Sequence, residues 1–361
     1  MQYRITTSPG LEDLAATEIH LALGAAGLTG DVTEKPFGLA GNLLLRIPAA
    51  SVPDPELHAD LTAVLHELKL AFHVVQHVHE TLLPGSPDLA SLCDAVADVS
   101  LPGCGPTQSF RVSSVRQGMH GFTSLDIERE AGSVVQKATG MSVDLENFDM
   151  HVRVDLLDSR LLVGLQTTRR GLDKRYTWVY KPRVSLKTVV ARGLLELASQ
   201  GLDGVSRIVD PFCGSGTILL EAADMFPQAS IAGSDLFEKV VEGARANIVA
   251  AGLSERVTVR QADARDLRRE LPAASVDMIV SNPPFGVRLG PRTDFKRLYH
   301  QFLAGASHVL RPGGQLVFLG GRRRHHVVHV LREVRSLSLK HVRVIETGGI
   351  YPAVYVMTRL P

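Results

Sequence analysis

The chain has 361 residues, 45% hydrophobic and 21% charged, a length that allows two or three domains and a composition ordinary for a water-soluble protein. No apolar run approaches the roughly 20 residues needed to cross a bilayer, and Cys93, Cys104 and Cys213 offer neither a metal-binding spacing nor an even disulfide framework. The net charge of +1 means that any nucleic-acid partner must be held by local basic patches, not by the field of the whole protein.

In chain order, Met1 to Thr7 alternates as a strand. Ser8-Pro9 then reads as a helix start, with Ser8 as cap, Pro9 at the first helical position and Glu12 and Asp13 in the first turn. Leu11, Leu14, Ala15, Ile19 and Leu23 share its apolar face. Val32 to Ile47 is expected to form a hairpin around Gly38 and Gly41, and residues 51–60, rich in Pro and Asp, read as a linker. Leu61 to Glu80 mixes a helix with a strand and carries His66, His73, His77 and His79. No carboxylate or cysteine completes a metal site with them, so they read as scattered surface histidines. A helix is expected over Leu89–Val99, then a strand over Ser109–Val115. After a polar loop come a helix over Leu125–Thr139, capped by Thr123 or Ser124, and paired strands over His151–Leu156 and Arg160–Leu165.

The next stretch is basic. Arg169, Arg170, Lys174, Arg175, Lys181, Arg183 and Lys187 are opposed only by Asp173, and Tyr176, Trp178 and Tyr180 alternate through them. Such a segment can neutralise phosphates and stack unpaired bases. It can equally be a connector whose charges are solvated and whose aromatics pack on a neighbouring domain. Ser185 to Ala198 follows as a helix.

From there strand and helix alternate as a parallel sheet requires. The stretch RIVDPFCGSGT organises this half: Arg207–Val209 is a short buried strand, Ile218–Ala223 a helix, and Asp210, Pro211, Phe212, Cys213, Gly214, Ser215, Gly216 and Thr217 connect them. Two glycines one residue apart let the backbone turn tightly and approach a ligand. A dinucleotide fingerprint needs a third glycine where this chain has Leu219. Asp210, a carboxylate at the strand end, suits instead a ligand that is cationic there, as the ammonium and sulfonium of S-adenosylmethionine are. Further strands are expected at Ser230–Gly233, ending at Asp235; at Val257–Gln261, ending at Asp263; and at Val276–Val280, leading to Asn282. Helices are expected at Glu238–Ala251 and Leu298–Leu310, the latter stopped by Arg311-Pro312-Gly313-Gly314. Three last strands are expected at Gln315–Leu319, Lys340–Ile345 and Val354–Thr358. Ligands of open α/β sheets bind at the carboxyl ends of strands, where Asp210, Asp235, Asp263 and Asn282 converge. Asp235, about 20 residues past the glycine loop, can accept from ribose hydroxyls. Asp263 can accept from an adenine amino group, with the backbone of Ala264 beside it, and Leu236 follows Asp235 at the same edge.

The pair DPFCGSGT and Ser281-Asn282-Pro283-Pro284-Phe285-Gly286 resembles the class I methyltransferases that modify exocyclic amino groups of bases, in which Asn-Pro-Pro-Phe is the catalytic motif. That resemblance covers about half the chain. Arg116, Gly118, His120, Phe122 and Ser124, followed by Asp144-Leu145 and the end of a strand pair, resemble the THUMP RNA-binding module over roughly residues 60–167. The opening strand, helix and hairpin resemble the ferredoxin-like domain that accompanies it. Together the halves are similar to the tRNA guanine-N2 methyltransferases of TrmN type. The resemblance implies a C-terminal Rossmann-like α/β domain with a seven-stranded mixed sheet, behind N-terminal α+β ferredoxin-like and THUMP domains. It divides the chain into residues 1–55, 56–167, a basic linker 168–184 and a catalytic domain 185–361. It also implies S-adenosylmethionine as methyl donor and formation of N2-methylguanosine at guanine 6 of the acceptor stem, with THUMP holding the 3′ end of the tRNA.

The chemistry follows from residue types. A nucleobase amine is a poor nucleophile because its lone pair is delocalised into the ring. Asn282 can accept one amine proton and the carbonyl of Pro283 the other, Pro having no competing N–H. Pro284 completes the turn and Phe285 can stack on the base. Catalysis would be positioning and electrostatics, with no metal, on a base that is flipped or already unpaired. Expected RNA contacts are Arg116, His120, Arg169, Arg170, Lys174, Arg175, Lys181 and Arg183, with Arg322 and Arg323 in a basic run, Arg322 to His326, that follows Gly320-Gly321. That run reads equally well as solvated. A 23S rRNA guanine-N2 enzyme, a tRNA enzyme with another target guanine, a DNA adenine-N6 enzyme, and an RNA-binding protein without catalysis are the rival readings. Met1-Gln2-Tyr3-Arg4 shows no basic-then-apolar leader, so a cytoplasmic location away from membranes is expected. A monomer is favoured, although the sequence itself sets no oligomeric state.

Overall fold

The structure is a computed structural model that describes residues 1–48, 55–182, 185–284, 294–321, 327, 329–330 and 333–361. Contacts divide it into two compact units, Met1–Thr7 with Ala15–Leu172, and Ser8–Leu14 with Asp173–Pro361. Among the described residues no helix is long and apolar enough to cross a membrane.

In the first unit a continuous sheet of nine strands contains β1 (Gln2–Thr6), β2 (Asp31–Glu34), β3 (Asn42–Arg46), β4 (His73–Leu82), β5 (Ser109–Ser113), β6 (Arg116–Gln117), β7 (Ser142–Val143), β8 (Met150–Leu157) and β9 (Arg160–Gln166). Its order is β2-β3-β1-β4-β9-β8-β5-β7, with β6 beside β8. Antiparallel pairing of β1 with β4 therefore joins the strands expected of two separate domains into one sheet. The short β6 and β7 carry no periodic signal and were not expected from sequence. Four helices accompany these strands in the chain: α1 (Glu12–Ala25), α2 (Pro55–His66), α3 (Leu89–Ala97) and α4 (Ser124–Thr139). Thr123 caps α4 in a reciprocal box, its hydroxyl accepting from Asp126 N (3.3 Å) while Asp126 Oδ2 accepts from Thr123 N (2.8 Å). Ile127, Ala131 and Val135 then face Phe110, Val152 and Val163 in the core.

Two expectations are corrected in this stretch. The first helix does not begin at Ser8-Pro9. Gly10 takes φ +95°, which ends any helical turn there, and the Ser8 hydroxyl is buried without a partner. Glu12 instead accepts from Gly10 N (2.8 Å), and Pro9 O accepts from Glu346 N (2.8 Å). The expected linker 51–60 is also too long, because Pro55 opens α2 with its φ preset for a first helical turn; residues 51–54 lie outside the described residues.

The second unit has a seven-stranded sheet of β10 (Arg207–Asp210), β11 (Ser230–Asp235), β12 (Val257–Gln261), β13 (Val276–Ser281), β14 (Leu310–Gly320), β15 (Leu337–Val344) and β16 (Ala353–Arg359). The order is β12-β11-β10-β13-β14-β16-β15; β10 to β14 are parallel, and β16 runs antiparallel between β14 and β15. This is the mixed sheet expected. Helices α5 (Thr188–Ser199), α6 (Thr217–Met225), α7 (Glu238–Ala250), α8 (Leu267–Glu270) and α9 (Phe295–Val309) complete it. The central β13 is buried at every position, as a strand covered on both faces must be. Its one charge, Asp277, accepts from Ser206 N and Arg207 N (2.8 Å each) and pairs with Arg311. Three boundaries move. Ser185 to Lys187 precede α5; α9 starts at Phe295, where Asp294 accepts from Arg297 N (3.0 Å); and Arg311 to Gly314 lie within β14, whose register against β13 shifts there.

Candidate active site

Strand order reverses around β10, the switch point where open α/β sheets bind ligands. A cavity of about 710 Å³ opens there, at the carboxyl ends of β10, β11 and β13. Of the residues expected at a cofactor, Asp210, Pro211, Phe212, Cys213, Gly214, Ser215, Thr217, Asp235, Leu236, Asp263, Ala264 and Asn282 all line it, with Pro284. Gly216 does not: it caps α6 at φ +86°. Pro283 is buried and its side chain is not among the lining groups, which leaves only its carbonyl for the expected role. Phe285 lies outside the described residues.

The loop geometry is set by backbone need. Gly214 sits at φ +55°, where L side chains are rarely found, and its N–H donates to Asp235 Oδ2 (3.2 Å). Asp235 Oδ1 accepts from Phe237 N (3.2 Å), so two main-chain donors orient that carboxylate. On the side toward the basic stretch, the hydroxyls of Ser185, Ser215 and Thr217 meet at 3.1, 3.4 and 3.3 Å.

Asp210 is 1% exposed. Its Oδ1 accepts from Ser281 Oγ (2.5 Å) and Phe212 N (3.0 Å), whereas Oδ2 is buried with no partner. Burial pushes this carboxyl up to about 7; the Ser281 and Phe212 bonds oppose the rise and the charge of Asp235 adds to it. Asn282 Oδ1 is a second shielded acceptor with no partner. Asp263 differs. Its carboxylate takes Arg265 N (2.9 Å), Arg265 Nε (2.8 and 2.9 Å) and Arg265 Nη2 (2.5 Å), and these bonds hold it below the usual carboxylate range. Arg265 thus already occupies the acid expected to receive an adenine amine. Cys213 is buried and burial drives its thiol well up, so it is a packing residue.

Several lining residues escaped the sequence reading: Tyr180, Pro182, Ser185 and Leu186 before α5, and Arg265, Asp294 and Arg297 at the opposite end of the motif order. The helix-cap pattern of Asp294 ahead of an apolar run is the one signal that could have marked any of them.

The expected RNA contacts divide. Arg169, Arg170, Lys174 and Lys181 are exposed, and Arg169 lies 5.5 Å over the Phe148 ring. Arg116 and His120 are spent partly on a local turn: Arg116 donates to Gly118 O (2.9 Å) and meets His120 Nδ1 (3.1 Å), and His120 Nε2 lies 2.8 Å from Asp158 O. Arg175 is a correction. It is paired bidentately with Glu221, which is fully buried on α6 (Nε–Oε1 2.9 Å, Nη2–Oε2 3.0 Å). A guanidinium committed to a buried carboxylate is not available to phosphate. Tyr176 likewise packs edge-on to Trp178 (76° between rings) and is half-buried. Arg183, Arg322 and Arg323 lie outside the described residues. Among the described residues no group of three or more His, Cys, Asp or Glu is placed to hold a metal.

Residues 88–166 match the THUMP domain family and residues 175–351 match the RMKL-like methyltransferase domain family. A Thermus thermophilus protein named tRNA (guanine(6)-N2)-methyltransferase is 37% identical across the whole of both chains. An Archaeoglobus fulgidus protein of the same name is 32% identical over 99% of this chain and 92% of its own. The crystal structure of TrmN from Thermus thermophilus superposes with a TM-score of 0.76 over 99% of each chain at 36% identity. A Listeria monocytogenes structure titled as a predicted N6-adenine-specific DNA methylase shares the fold, with a TM-score of 0.71 at 19% identity.

Proposed function

We propose, for a chain that belongs to the THUMP-containing tRNA (guanine(6)-N2)-methyltransferase family, that the 710 Å³ cavity is where a guanine amine of tRNA meets S-adenosylmethionine. The enzyme is an S-adenosylmethionine-dependent tRNA guanine-N2 methyltransferase. One observation carries the assignment of the site: two buried acceptors without partners, Asp210 Oδ2 and Asn282 Oδ1, border one cavity at the ends of neighbouring strands. Burying unpaired acceptors costs free energy unless a ligand completes them. The donor set fits the cofactor, because an acid at Asp210 complements a cationic ligand and Asp235 is oriented to accept from hydroxyls.

When bound, S-adenosylmethionine supplies an electrophilic methyl group on a sulfonium. Asp210 would hold its cationic end and Asp235 its ribose, while Asp263, held by Arg265, borders the adenine end. Asn282 Oδ1 accepts one proton of the guanine amine and the Pro283 carbonyl the other, turning the nitrogen lone pair out of conjugation with the ring. Phe285 is proposed to stack on the flipped base. Residues 56–167 form the RNA-holding module and 185–361 the catalytic domain. The exposed Arg169, Arg170, Lys174 and Lys181 are proposed to meet phosphates. Guanine 6 of the acceptor stem is the proposed target, with the 3′ end of the tRNA held by THUMP, in accord with the names of the full-length relatives.

The test is to supply labelled S-adenosylmethionine with total tRNA, total rRNA or DNA and identify the labelled nucleoside. N2-methylguanosine from tRNA is the expected product; label in rRNA or DNA alone would overturn the reading. Asn282→Ala should lower kcat by about 10²–10³, as removal of one preorganised hydrogen-bonding group does, while the donor still binds.

A further inference from the structure

Asn247 lies on α7 and is completely buried. Its side-chain amide has no unused capacity. Oδ1 accepts from Val179 N (2.9 Å) and Tyr180 N (2.8 Å), and Nδ2 donates to Tyr180 O (2.7 Å) and Ser215 O (2.9 Å). One amide thus ties the basic stretch to the glycine loop. Gly243 lies one turn earlier on the same helix and has no side chain where the Tyr180 ring packs: a Cβ there would come 2.2 Å from Tyr180 Cδ1. Upstream, Arg175 anchors the stretch to α6 through Glu221; downstream, Ser185 meets Ser215. Of this stretch, Tyr180, Pro182, Ser185 and Leu186 line the cavity.

We infer that Asn247 is a positioning residue for the methyl donor, clasping Val179–Tyr180 against the Gly243 face of α7 so that Tyr180, Pro182, Ser185 and Leu186 form one wall of the donor cavity. This rests on the donor site proposed above. Asn247 touches no reacting atom. It acts through Tyr180 on one side and Ser215 on the other. The identity of the residue matters because a carboxylate at 247 would keep the two acceptor bonds but set an oxygen against the carbonyls of Tyr180 and Ser215. An alanine would leave two main-chain N–H groups and two main-chain carbonyls without this partner. In either case the wall loosens while Asn282 and the β13 turn stay as they are. The donor Kd and KM should therefore rise and kcat at saturating donor should not follow.

The experiment measures binding of S-adenosylmethionine by calorimetry, its KM and kcat, and the melting temperature, in Asn247→Ala and Gly243→Ala. Gly243→Ala is the second variant because it replaces a helical glycine by the best helix former, which favours α7, while its Cβ displaces the Tyr180 ring. Both variants should bind the donor at least about tenfold more weakly, with kcat within about threefold of the unaltered chain. A purely structural role would lower the melting temperature and leave Kd unchanged in the folded protein. Folded variants that bind within about twofold of the unaltered chain would overturn the inference. Should Asn247→Ala fail to fold, Gly243→Ala decides alone. No binding by the unaltered chain would overturn the donor-site reading itself, and the inference with it.

Discussion

Asp210 offers a test of the donor site that needs no RNA. Its carboxyl is fully buried, Oδ2 has no partner, and burial lifts its pKa from 3.8 to about 7. A rise of about three units corresponds to about 4 kcal/mol disfavouring the charged form in the empty site. A cation placed against Oδ2 reverses that preference, so binding at acid pH must expel the proton. The donor's own α-ammonium, with a pKa of about 7.7–8.0, stays charged throughout that range. Between pH 7 and pH 5.5 the fraction of empty protein with Asp210 neutral goes from about one half to about 0.97, and Kd should weaken about sixteen-fold. Calorimetry in buffers of different ionisation enthalpy should show about one proton released per donor bound at pH 5.5 and about half a proton at pH 7. Asp210→Asn should bind weakly and lose the pH dependence. The same shift has a consequence for the empty protein. A carboxyl whose folded pKa is raised contributes stability that is complete below its unfolded value of 3.8 and is lost as pH rises through about 7. The melting temperature of the unaltered chain should therefore fall from pH 6 to pH 8, and that of Asp210→Asn should not show this fall. A Kd flat from pH 5.5 to 7, with no proton released, would refute the placement of the donor's positive charge at Asp210.

Arg175→Ala should destabilise by about 3–5 kcal/mol, because it strands the fully buried Glu221 carboxylate; denaturant unfolding measures it, and a change below about 1 kcal/mol would return Arg175 to the RNA-facing set. Charge removal at the exposed Arg169, Arg170, Lys174 and Lys181 should leave stability within about 0.5 kcal/mol and weaken tRNA binding. The slope of log affinity against log salt should drop by about 0.7–0.9 for every phosphate that is no longer neutralised, and an unchanged slope would assign these side chains to solvent.

Part of the site was legible because the sequence signals there are local. A glycine loop after a buried strand and a Pro-Pro turn after another are short-range statements, and the continuous apolar run of β13 places its loop at a strand end. The start of the first helix was not local. Ser8-Pro9-Gly10 satisfies helix-start chemistry, but Gly10 takes a left-handed turn, and the ion pair of Arg343 with Asp13 (2.5 and 2.7 Å) joins residues at opposite ends of the chain. Arg175 was misread for a similar reason. A basic residue among basic residues looks free until Glu221 is placed on the buried face of α6. The wall made by Tyr180 and Ser185 could not be read at all, since nothing within its own stretch predicts Asn247 as a partner.

The deeper distinction is between buried polar groups that are paired and those that are not. Asp277, Glu221, Asn247 and Asp210 are all buried polar residues of the second unit, and from sequence each is an acid or amide in an apolar setting. Asp277 is closed by Ser206, Arg207 and Arg311, Glu221 by Arg175, and Asn247 by four main-chain groups. Each of those three fixes a segment and has little left to give a ligand. Asp210 keeps one carboxylate oxygen open, as Asn282 keeps its amide oxygen, and both open atoms border the same cavity. Folding alone would favour closing them too, since an unpaired buried acceptor costs about 1–3 kcal/mol. Among these four residues, scaffold and site are therefore separated by a property of the folded arrangement, an unpartnered atom bordering the cavity, and residue identity alone could not have sorted Asp210 from Asp277.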